Sequence, residues 1–437
     1  MANEKTEEGL KRVIGVQGLA LSIINGIIGA GIFALPGIIG VQLGAFAIFS
    51  YIVCAVMLAA LLLCYSEIGS RVTSSGGSYA YVDAAFGSLP GYIINWLYFF
   101  GWGVLGSAAL LNVVADSIAG LFPVFGNHII RGIFFFILLG AIASINVLGA
   151  KQGIGFIKGI TIIKLLPLLA IIIFGISKIN INNLHWDYTP SLKSFGSTTL
   201  TLFFAFAGFE TCLGVSGEFK NPNRTVPLGI MLGGMVVLIV YLLLQIVTQG
   251  ILGADIAMFK TAPLAAVAQK IVGPLGATII LVVTAFSCFG TVSADVMATP
   301  RALFAGANEG LFPKFLGRVH TKFATPYLSI IIYSSLIFLL SISGGFEKLA
   351  NLATAAVLPV YLAVVLATVK FRIQKQDNAE GSFRAPGGWF TPFIGSAAVL
   401  WLFSSQENIV ILSIIVFMSI TCLFYFGTKL YKKRMKI

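Results

Sequence analysis

Long apolar stretches separated by short polar ones dominate the chain. Twelve of these windows are long enough to cross about 30 Å of hydrocarbon, which takes roughly 20 helical residues. They cover residues 13–39, 44–69, 89–119, 129–149, 153–176, 196–217, 227–250, 274–299, 326–343, 347–369, 391–405 and 407–428. Gln406, Glu407 and Asn408 separate the last two, because a charged and two amide side chains favour a turn there. The pattern predicts an all-α polytopic membrane protein with twelve transmembrane helices.

The first window contains a cluster of glycines that interrupts its helical pattern. Gly26, Gly29 and Gly31 lie in "IINGIIGAGIFALPG", residues 23–37, and each costs a helix on the order of 1 kcal/mol relative to alanine. Irregular backbone at membrane depth persists only where it is buried in protein or lines a cavity. We therefore expect a broken helix beside a cavity, with a small-residue packing face as the alternative. The free N–H groups that begin the second half-helix favour a carboxylate.

The sixth window repeats this pattern. "TLFFAFAGFETCLGVSGEF", residues 201–219, contains Gly208 and two further glycines together with Glu210. Because five windows separate the two breaks, the second lies at the corresponding position of an oppositely oriented five-helix unit, which indicates an inverted-repeat transporter. The predicted organisation is a tail at 1–12, repeats at 13–176 and 177–370, a linker at 371–390, and two further helices with a basic tail at 391–437.

Composition excludes an ordinary soluble protein, since 58% of residues are hydrophobic and 10% are charged. The net charge of +12 is explained by the positive-inside rule. The distribution of basic residues predicts a protein of the cytoplasmic (inner) membrane with both termini in the cytoplasm. We therefore expect no nucleic-acid partner. The five cysteines all lie in apolar windows and the three histidines lack metal-ligand spacing. No metal, cofactor or enzymatic site is expected, because Walker motifs and catalytic triads are also missing from the sequence.

Four motifs carry a family resemblance. "GAGIFALPG", "SSGGSYAYVDAAFG", "FAGFE" followed by "FKNPNRTVPLGI", and "PRALFAGANEGLFPKFLGRVHTKFATP" resemble permeases of the amino acid–polyamine–organocation superfamily, in the same order, over residues 13 to 370. The resemblance implies the LeuT-type fold, in which helices 1 and 6 of a 5+5 inverted repeat are broken and two helices follow. Heteromeric relatives carry a cysteine in the outer loop after the third span; "LFPVFGNH" has none, so we expect no disulfide-linked partner subunit.

The breaks and the resemblance together define a candidate substrate site. The resemblance implies that Tyr98 and Phe204 close over or touch the substrate, and that Ala30 leaves carboxylate recognition to backbone N–H groups where some relatives have a serine. The candidate substrate-binding residues are Ile28, Gly29, Ala30, Gly31, Ile32, Tyr98, Phe204, Ala207, Gly208, Phe209 and Asp295.

Three ionisable residues inside predicted spans are candidates for proton coupling or gating, because charges at membrane depth are costly. Lys164 lies about 9 Å deeper than Lys158 by helical rise, although it could still extend to the membrane surface. The resemblance implies that this lysine replaces a sodium ion and that its protonation is tied to transport. The resemblance implies that Glu210 links substrate binding to gating, and the alternative is a neutral structural acid. Asp295 could pair with Lys164, with Arg301 or with a cationic group of the substrate.

These observations favour a secondary active transporter that takes up an amino acid with protons by alternating access. The alternative is an amino acid or amine exchanger that depends on neither sodium nor protons. A ligand-sensing receptor is a distant third, because the longest predicted cytoplasmic loops have only about 25 residues. The nature of the substrate side chain stays open: Gly106, Ala207 and Ala30 indicate room, and Asp295 indicates a cation.

Overall fold

The computed structural model describes residues 12, 14–73, 76–148, 154–186, 188–308, 314–323, 325–374 and 383–434. This part of the chain is helical, apart from loops and one isolated β-bridge. The helices are α1 (Val16–Ile27), α2 (Gly31–Leu43), α3 (Ala47–Arg71), α4 (Ser78–Phe86), α5 (Ser88–Trp96), α6 (Leu105–Leu121), α7 (His128–Val147), α8 (Ile154–Gly175), α9 (Leu192–Phe203), α10 (Pro222–Leu252), α11 (Pro263–Val272), α12 (Pro274–Ala298), α13 (Pro300–Asn308), α14 (Tyr327–Ser341), α15 (Phe346–Ile373), α16 (Phe390–Ser404) and α17 (Asn408–Arg434).

Eight helical stretches in the described residues are long and apolar enough to cross a membrane, and four shorter apolar helices accompany them. The protein is therefore a multi-pass membrane protein. Each of the twelve predicted windows contains a helix, and α16 and α17 separate at the predicted turn. Several windows hold a helix that is broken or too short to be counted by length alone, so the number of spans and the inverted repeat stay predictions.

The predicted break in the first window lies between α1, which ends at Ile27, and α2, which begins at Gly31. The N–H groups of Phe33 and Ala34 both donate to the carbonyl oxygen of Ala30, at 3.0 and 3.2 Å. The first N–H groups of a helix have no carbonyl partner inside it. The break therefore leaves donors at the start of α2, in the middle of an apolar segment.

The second break follows α9. A 3₁₀ turn at Phe204–Phe206 continues the helix, the chain then passes through Ala207 and Gly208, and a 3₁₀ helix runs over Phe209–Glu218. Gly208 has φ +110°, a backbone conformation that side chains rarely adopt. The predicted break is thus present, and its glycine is required by the local backbone.

The two broken segments contact one another through their backbones. A Cβ on Gly208 would lie 2.7 Å from the carbonyl oxygen of Gly26, and a Cβ on Gly31 would lie 2.5 Å from the Cα of Ala205. Glycine at these positions permits an approach that any side chain would prevent. Ile14, which precedes α1, and Phe219, which follows the 3₁₀ helix of the second break, form a parallel β-bridge. This bridge is a second backbone contact between the two segments.

A buried ionic cluster connects α3, α15 and the chain that leads into α16. The guanidinium of Arg372 donates to both carboxylate oxygens of Glu67, with Nε 2.8 Å from Oε1. Arg71 Nη2 lies 3.0 Å from Oε1, and the backbone N–H of Ala385 donates to Oε2 at 2.9 Å. We call Glu67, Arg71, Arg372 and the Ala385 N–H the Glu67 cluster. Its carboxylate is fully buried and accepts hydrogen bonds from three separate parts of the chain.

Candidate functional site

A cavity of about 750 Å³ lies where the two breaks meet. The first break contributes Gly29, Ala30 and Gly31 to its wall, and the second contributes Ala207 and Gly208. From there the cavity follows α1 down to its first residues, including the exposed side chain of Gln17. The cavity therefore reaches the surface at the end of the bundle where Ile14 lies, which we call the Ile14 end.

The breaks present two kinds of backbone group near this cavity. The N-terminus of α2 carries unpaired N–H groups and the positive end of a helix dipole, which favour an anion. The C-terminal end of α9 and its 3₁₀ turn carries carbonyl groups and the negative end of a dipole, which favour a cation. Such a pair of opposite poles matches a small molecule that has both a carboxylate and an ammonium group.

Lys164 is hydrogen-bonded to the backbone of the first break. Its side chain is only 2% exposed, and its Nζ donates to the carbonyl oxygen of Ile28 at 3.1 Å and to Oγ1 of Thr291 at 3.3 Å. Ser287 donates to the same Ile28 oxygen at 3.4 Å. Burial in the bundle interior shows that this amine does not extend to the membrane surface. Because Thr291 lines the cavity, one hydroxyl group separates the amine from it.

Glu210 stabilises the second break. Its Oε2 accepts from the backbone N–H of Gly208 at 3.1 Å and from the hydroxyl of Tyr361 at 2.9 Å. Its Oε1 is buried without a hydrogen-bond partner among the described residues. The side chain faces a second, small cavity of about 60 Å³, which Tyr98 also lines. Glu210 thus connects α15 to the residue whose backbone makes the break.

Asp295 lies on α12 and lines the large cavity. Its Oδ2 accepts from Oγ of Ser107 at 3.0 Å, and that hydroxyl lies 3.4 Å from the hydroxyl of Tyr333. Neither cation considered from the sequence forms an ion pair with it. Lys164 donates instead to the first break, and the exposed Arg301 donates to the carbonyl of Met297. Lys164 acts on Asp295 only through space, and the hydrogen bond to the carboxylate comes from Ser107.

Three aromatic rings separate this cavity from another one at the opposite end of the bundle. The ring of Phe204, which lines the large cavity, lies 5.4 Å from that of Trp102 and 5.6 Å from that of Phe346. Phe346 lines the other cavity, of about 880 Å³. At the rim of the latter, Glu347 accepts from Lys260 at 3.0 Å and from Gln42 at 3.2 Å. The site is therefore open toward the Ile14 end and covered on the opposite side.

The other candidate residues surround the site without lining the large cavity. Ile28 contributes its carbonyl oxygen to Lys164, and the side chain of Ile32 is fully buried in the core. Phe209 packs between Tyr65, at 4.9 Å between ring centroids, and Tyr361, at 5.7 Å. Tyr98 faces the small cavity beside Glu210. These residues support the shape of the breaks.

Sequence reasoning missed several residues of the site. Trp102 lines the cavity from a π-helical segment, Leu97–Val104, and "GWG" at 101–103 places its large ring between two glycines. Ser287 and Thr291 precede Asp295 at intervals of four residues, which places all three on one face of α12. That polar stripe in an apolar window was the signal that could have identified them.

Comparison with known proteins identifies a family and several relatives. The family model described as amino acid permease matches residues 14–425. The serine/threonine exchanger SteT of Bacillus subtilis is 27% identical over 401 residues, which are 90% of this chain and 90% of that protein. The branched-chain amino acid permease BcaP of B. subtilis is 27% identical over 446 residues, which are 96% of this chain and 93% of that protein. The methylthioribose transporter of B. subtilis is 26% identical over 444 residues, which are 98% of this chain and 95% of that protein.

These similarities confirm the resemblance inferred from the four motifs. They extend over both breaks, the cavity and the last two helices. The family and the relatives named above are membrane transporters and not enzymes. The chain belongs to the amino acid permease family of the amino acid–polyamine–organocation superfamily.

Proposed function

We propose that this protein is a secondary active transporter that imports an amino acid together with protons by alternating access. The observation that carries the proposal is the cavity between the two breaks, whose wall holds a donor pole at Ala30 and Gly31 and whose neighbouring lysine is hydrogen-bonded to Ile28. A transporter needs such a site near the middle of the membrane, where it can be reached from one side at a time.

The proposed topology has twelve spans and both termini in the cytoplasm. Residues 13–176 and 177–370 form the two inverted repeats, and the last two helices lie outside them. In this orientation the Ile14 end faces the cytoplasm of the cell. The cavity is then open inward, and Phe204, Trp102 and Phe346 close it toward the outside.

The substrate lies with its α-carboxylate at the N–H groups of Ala30, Gly31 and Ile32. Its α-ammonium group faces the carbonyl groups that end at Phe206, so that each charge meets the opposite pole of a broken helix. Its side chain extends toward α12. Phe204 covers it from the outer side, and a change in the second break is transmitted to α15 through the Glu210–Tyr361 hydrogen bond.

Lys164 is the proposed proton carrier. In its charged form the amine holds the Ile28 carbonyl and Thr291, and so stabilises one arrangement of the first break. When the amine transfers its proton through the cavity, this charge-assisted hydrogen bond weakens and the break can rearrange. Proton movement and the exposure of the substrate site are linked in this way.

A second candidate is an exchanger in which Lys164 stays charged throughout the cycle. The same two hydrogen bonds suit a permanent cation that keeps the first break in shape. The relative SteT is described as a serine/threonine exchanger, which supports this alternative. An exchanger returns slowly without substrate, and so requires an amino acid on both sides of the membrane.

Uptake into proteoliposomes tests the proposal with a matched pair of lysine variants on neighbouring parts of one segment. Lys164→Ala removes the buried amine, and Lys178→Ala removes an exposed one just after α8. We expect an inward proton gradient to drive accumulation of an amino acid into empty vesicles. Lys164→Ala should lose that accumulation by about tenfold or more, since a hydrogen bond to a charged group is worth about 1.5–3 kcal/mol. Lys178→Ala should behave as the wild type.

The remaining outcomes separate the candidates. Uptake that requires preloaded vesicles and ignores the proton gradient would establish exchange and remove the coupling role of Lys164. A panel of labelled amino acids with no uptake in either format would contradict amino acid transport itself. Equal losses in Lys164→Ala and Lys178→Ala would show that the effect is not specific to the buried amine.

A further inference from the structure

The polar stripe on α12 extends from the first break toward the open end of the cavity. Ser287 contacts the carbonyl oxygens of Ile28 and Gly29 at 3.4 and 3.5 Å, and Thr291 receives the hydrogen bond from Lys164. Asp295 follows one turn later, about 6 Å along the helix axis. Its carboxylate is therefore displaced from the break and lies where the end of a long substrate side chain would arrive.

The carboxylate of Asp295 has a neutral hydroxyl partner. Ser107 donates to Oδ2, and the hydroxyl of Tyr333 lies beside Ser107. Among the described residues, no lysine, arginine or histidine forms an ion pair with Asp295. A carboxylate in the interior of a membrane protein is costly unless it is paired. The side chain lines the cavity, so the missing cation can come from the ligand.

The other charges near the cavity are assigned to different partners. Lys164 sits at the first break, next to the position proposed for the substrate α-carboxylate. Glu210 faces the small separate cavity and is hydrogen-bonded to Gly208 and Tyr361. The α-ammonium group faces the carbonyl pole of the second break. Lys164 acts on Asp295 only through space, so a neutral amino acid leaves this carboxylate without a cation in direct contact among the described residues.

The cavity also has room beside Asp295. A Cβ on Gly106, which precedes Ser107, would meet no atom within 4 Å, and Gly106 lines the cavity together with Ala294 and Ala298. Small residues around a carboxylate leave space for an extended side chain and its charged end.

We propose that Asp295, oriented by Ser107, recognises the side-chain ammonium or guanidinium group of a long basic amino acid whose carboxylate lies at the first break. This inference rests on the proposed function and adds the substrate class to it. The names of SteT and BcaP refer to serine, threonine and branched-chain amino acids, so the inference rests on this chain's own cavity.

Pairs of a basic amino acid and a neutral analogue test the inference on the full-length protein in proteoliposomes. Arginine and citrulline are nearly isosteric and differ mainly in charge, and norleucine is lysine without its terminal ammonium group. We expect the wild type to bind labelled arginine or lysine at least about tenfold more tightly than the neutral analogue, as for other buried charge pairs. Asp295→Asn should remove that preference while the binding of citrulline and norleucine stays the same. Asp255→Asn, at an exposed carboxylate paired with Lys270, is the matched control.

A second variant protects the test from a loss of folding. Gly106→Leu keeps the carboxylate but fills the space next to it, so it should weaken arginine binding while alanine binding persists. Wild-type binding of neutral amino acids without a preference for basic ones would overturn the inference and leave the proposed function standing. The same holds if Asp295→Asn weakens arginine and citrulline equally. No binding of any amino acid would contradict the proposed function itself.

Discussion

Glu67→Ala is expected to cause the largest loss of stability of any single substitution considered for this protein. The variant leaves the guanidinium of Arg372 buried without the carboxylate that accepts two of its hydrogen bonds. Arg71 and the Ala385 N–H lose an acceptor as well. Removal of one partner from a buried ion pair typically costs about 3–5 kcal/mol. Thermal denaturation of the purified protein in detergent, followed by the monodisperse fraction on size exclusion, measures this loss.

An exposed ion pair provides the control for that measurement. Glu347→Ala breaks the contact with Lys260, whose side chain is 45% exposed, and such surface pairs contribute about 0–1 kcal/mol. Arg71→Ala should fall between the two, because Arg372 still binds Glu67 through two nitrogen atoms. If Glu67→Ala and Glu347→Ala lower the unfolding temperature by similar amounts, the Glu67 cluster does not have the structural role assigned to it.

Gly31→Ala is expected to reduce transport strongly while the protein still inserts and folds. Its Cβ would lie 2.5 Å from the Cα of Ala205 and 2.6 Å from its Cβ, so the backbones of the two broken segments must separate. Overpacking of this kind costs about 1–3 kcal/mol, and the separation displaces the donors that begin α2. We expect the uptake rate in proteoliposomes to fall by about tenfold or more.

Two other glycines distinguish a local clash from a general effect of alanine. A Cβ on Gly29 would meet only the flexible end of Leu110, at 3.3 Å, so Gly29→Ala should have a smaller effect. A Cβ on Gly140, which lies on an exposed face of α7, would meet nothing within 4 Å, and Gly140→Ala should transport as the wild type. Equal activity of all three variants would show that the contact between Gly31 and Ala205 is not needed.

The helical segments and both breaks could be predicted from the sequence because each has a local physical cause. Apolar windows of sufficient length form helices in a membrane, and clustered glycines weaken a helix wherever they occur. Lys164 and Glu210 were identifiable for a similar reason, since ionisable residues in apolar windows need an explanation. Their burial and their contacts with the two breaks agree with that expectation.

The partners of these residues could not be predicted, because they are distant in the sequence. Glu67 and Arg372 are 305 residues apart. Ser107 and Asp295 are 188 residues apart. A sequence shows that such a charge requires a partner but does not show which of many polar residues the packing of helices brings to it.

The position of Tyr98 illustrates a different limit. Tyr98 and Trp102 are four residues apart, which in an α-helix would place them on the same face. They lie in the π-helical segment Leu97–Val104, where each turn holds more residues and the faces shift. Tyr98 therefore lines the small cavity beside Glu210, while Trp102 lines the large one. The α-helical period therefore could not predict that Tyr98 and Trp102 line different cavities.

The β-bridge between Ile14 and Phe219 bears on how the Ile14 end can close. The N–H of Lys220 donates to the Ile14 carbonyl at 2.8 Å, so the two broken segments share backbone hydrogen bonds at their lower ends as well as contacts at Gly26 and Gly208. Two segments joined at two levels are expected to move together. Under the alternating access proposed above, closure at this end is a tilt of both segments relative to α12, which changes the distance from the two poles of the breaks to Asp295.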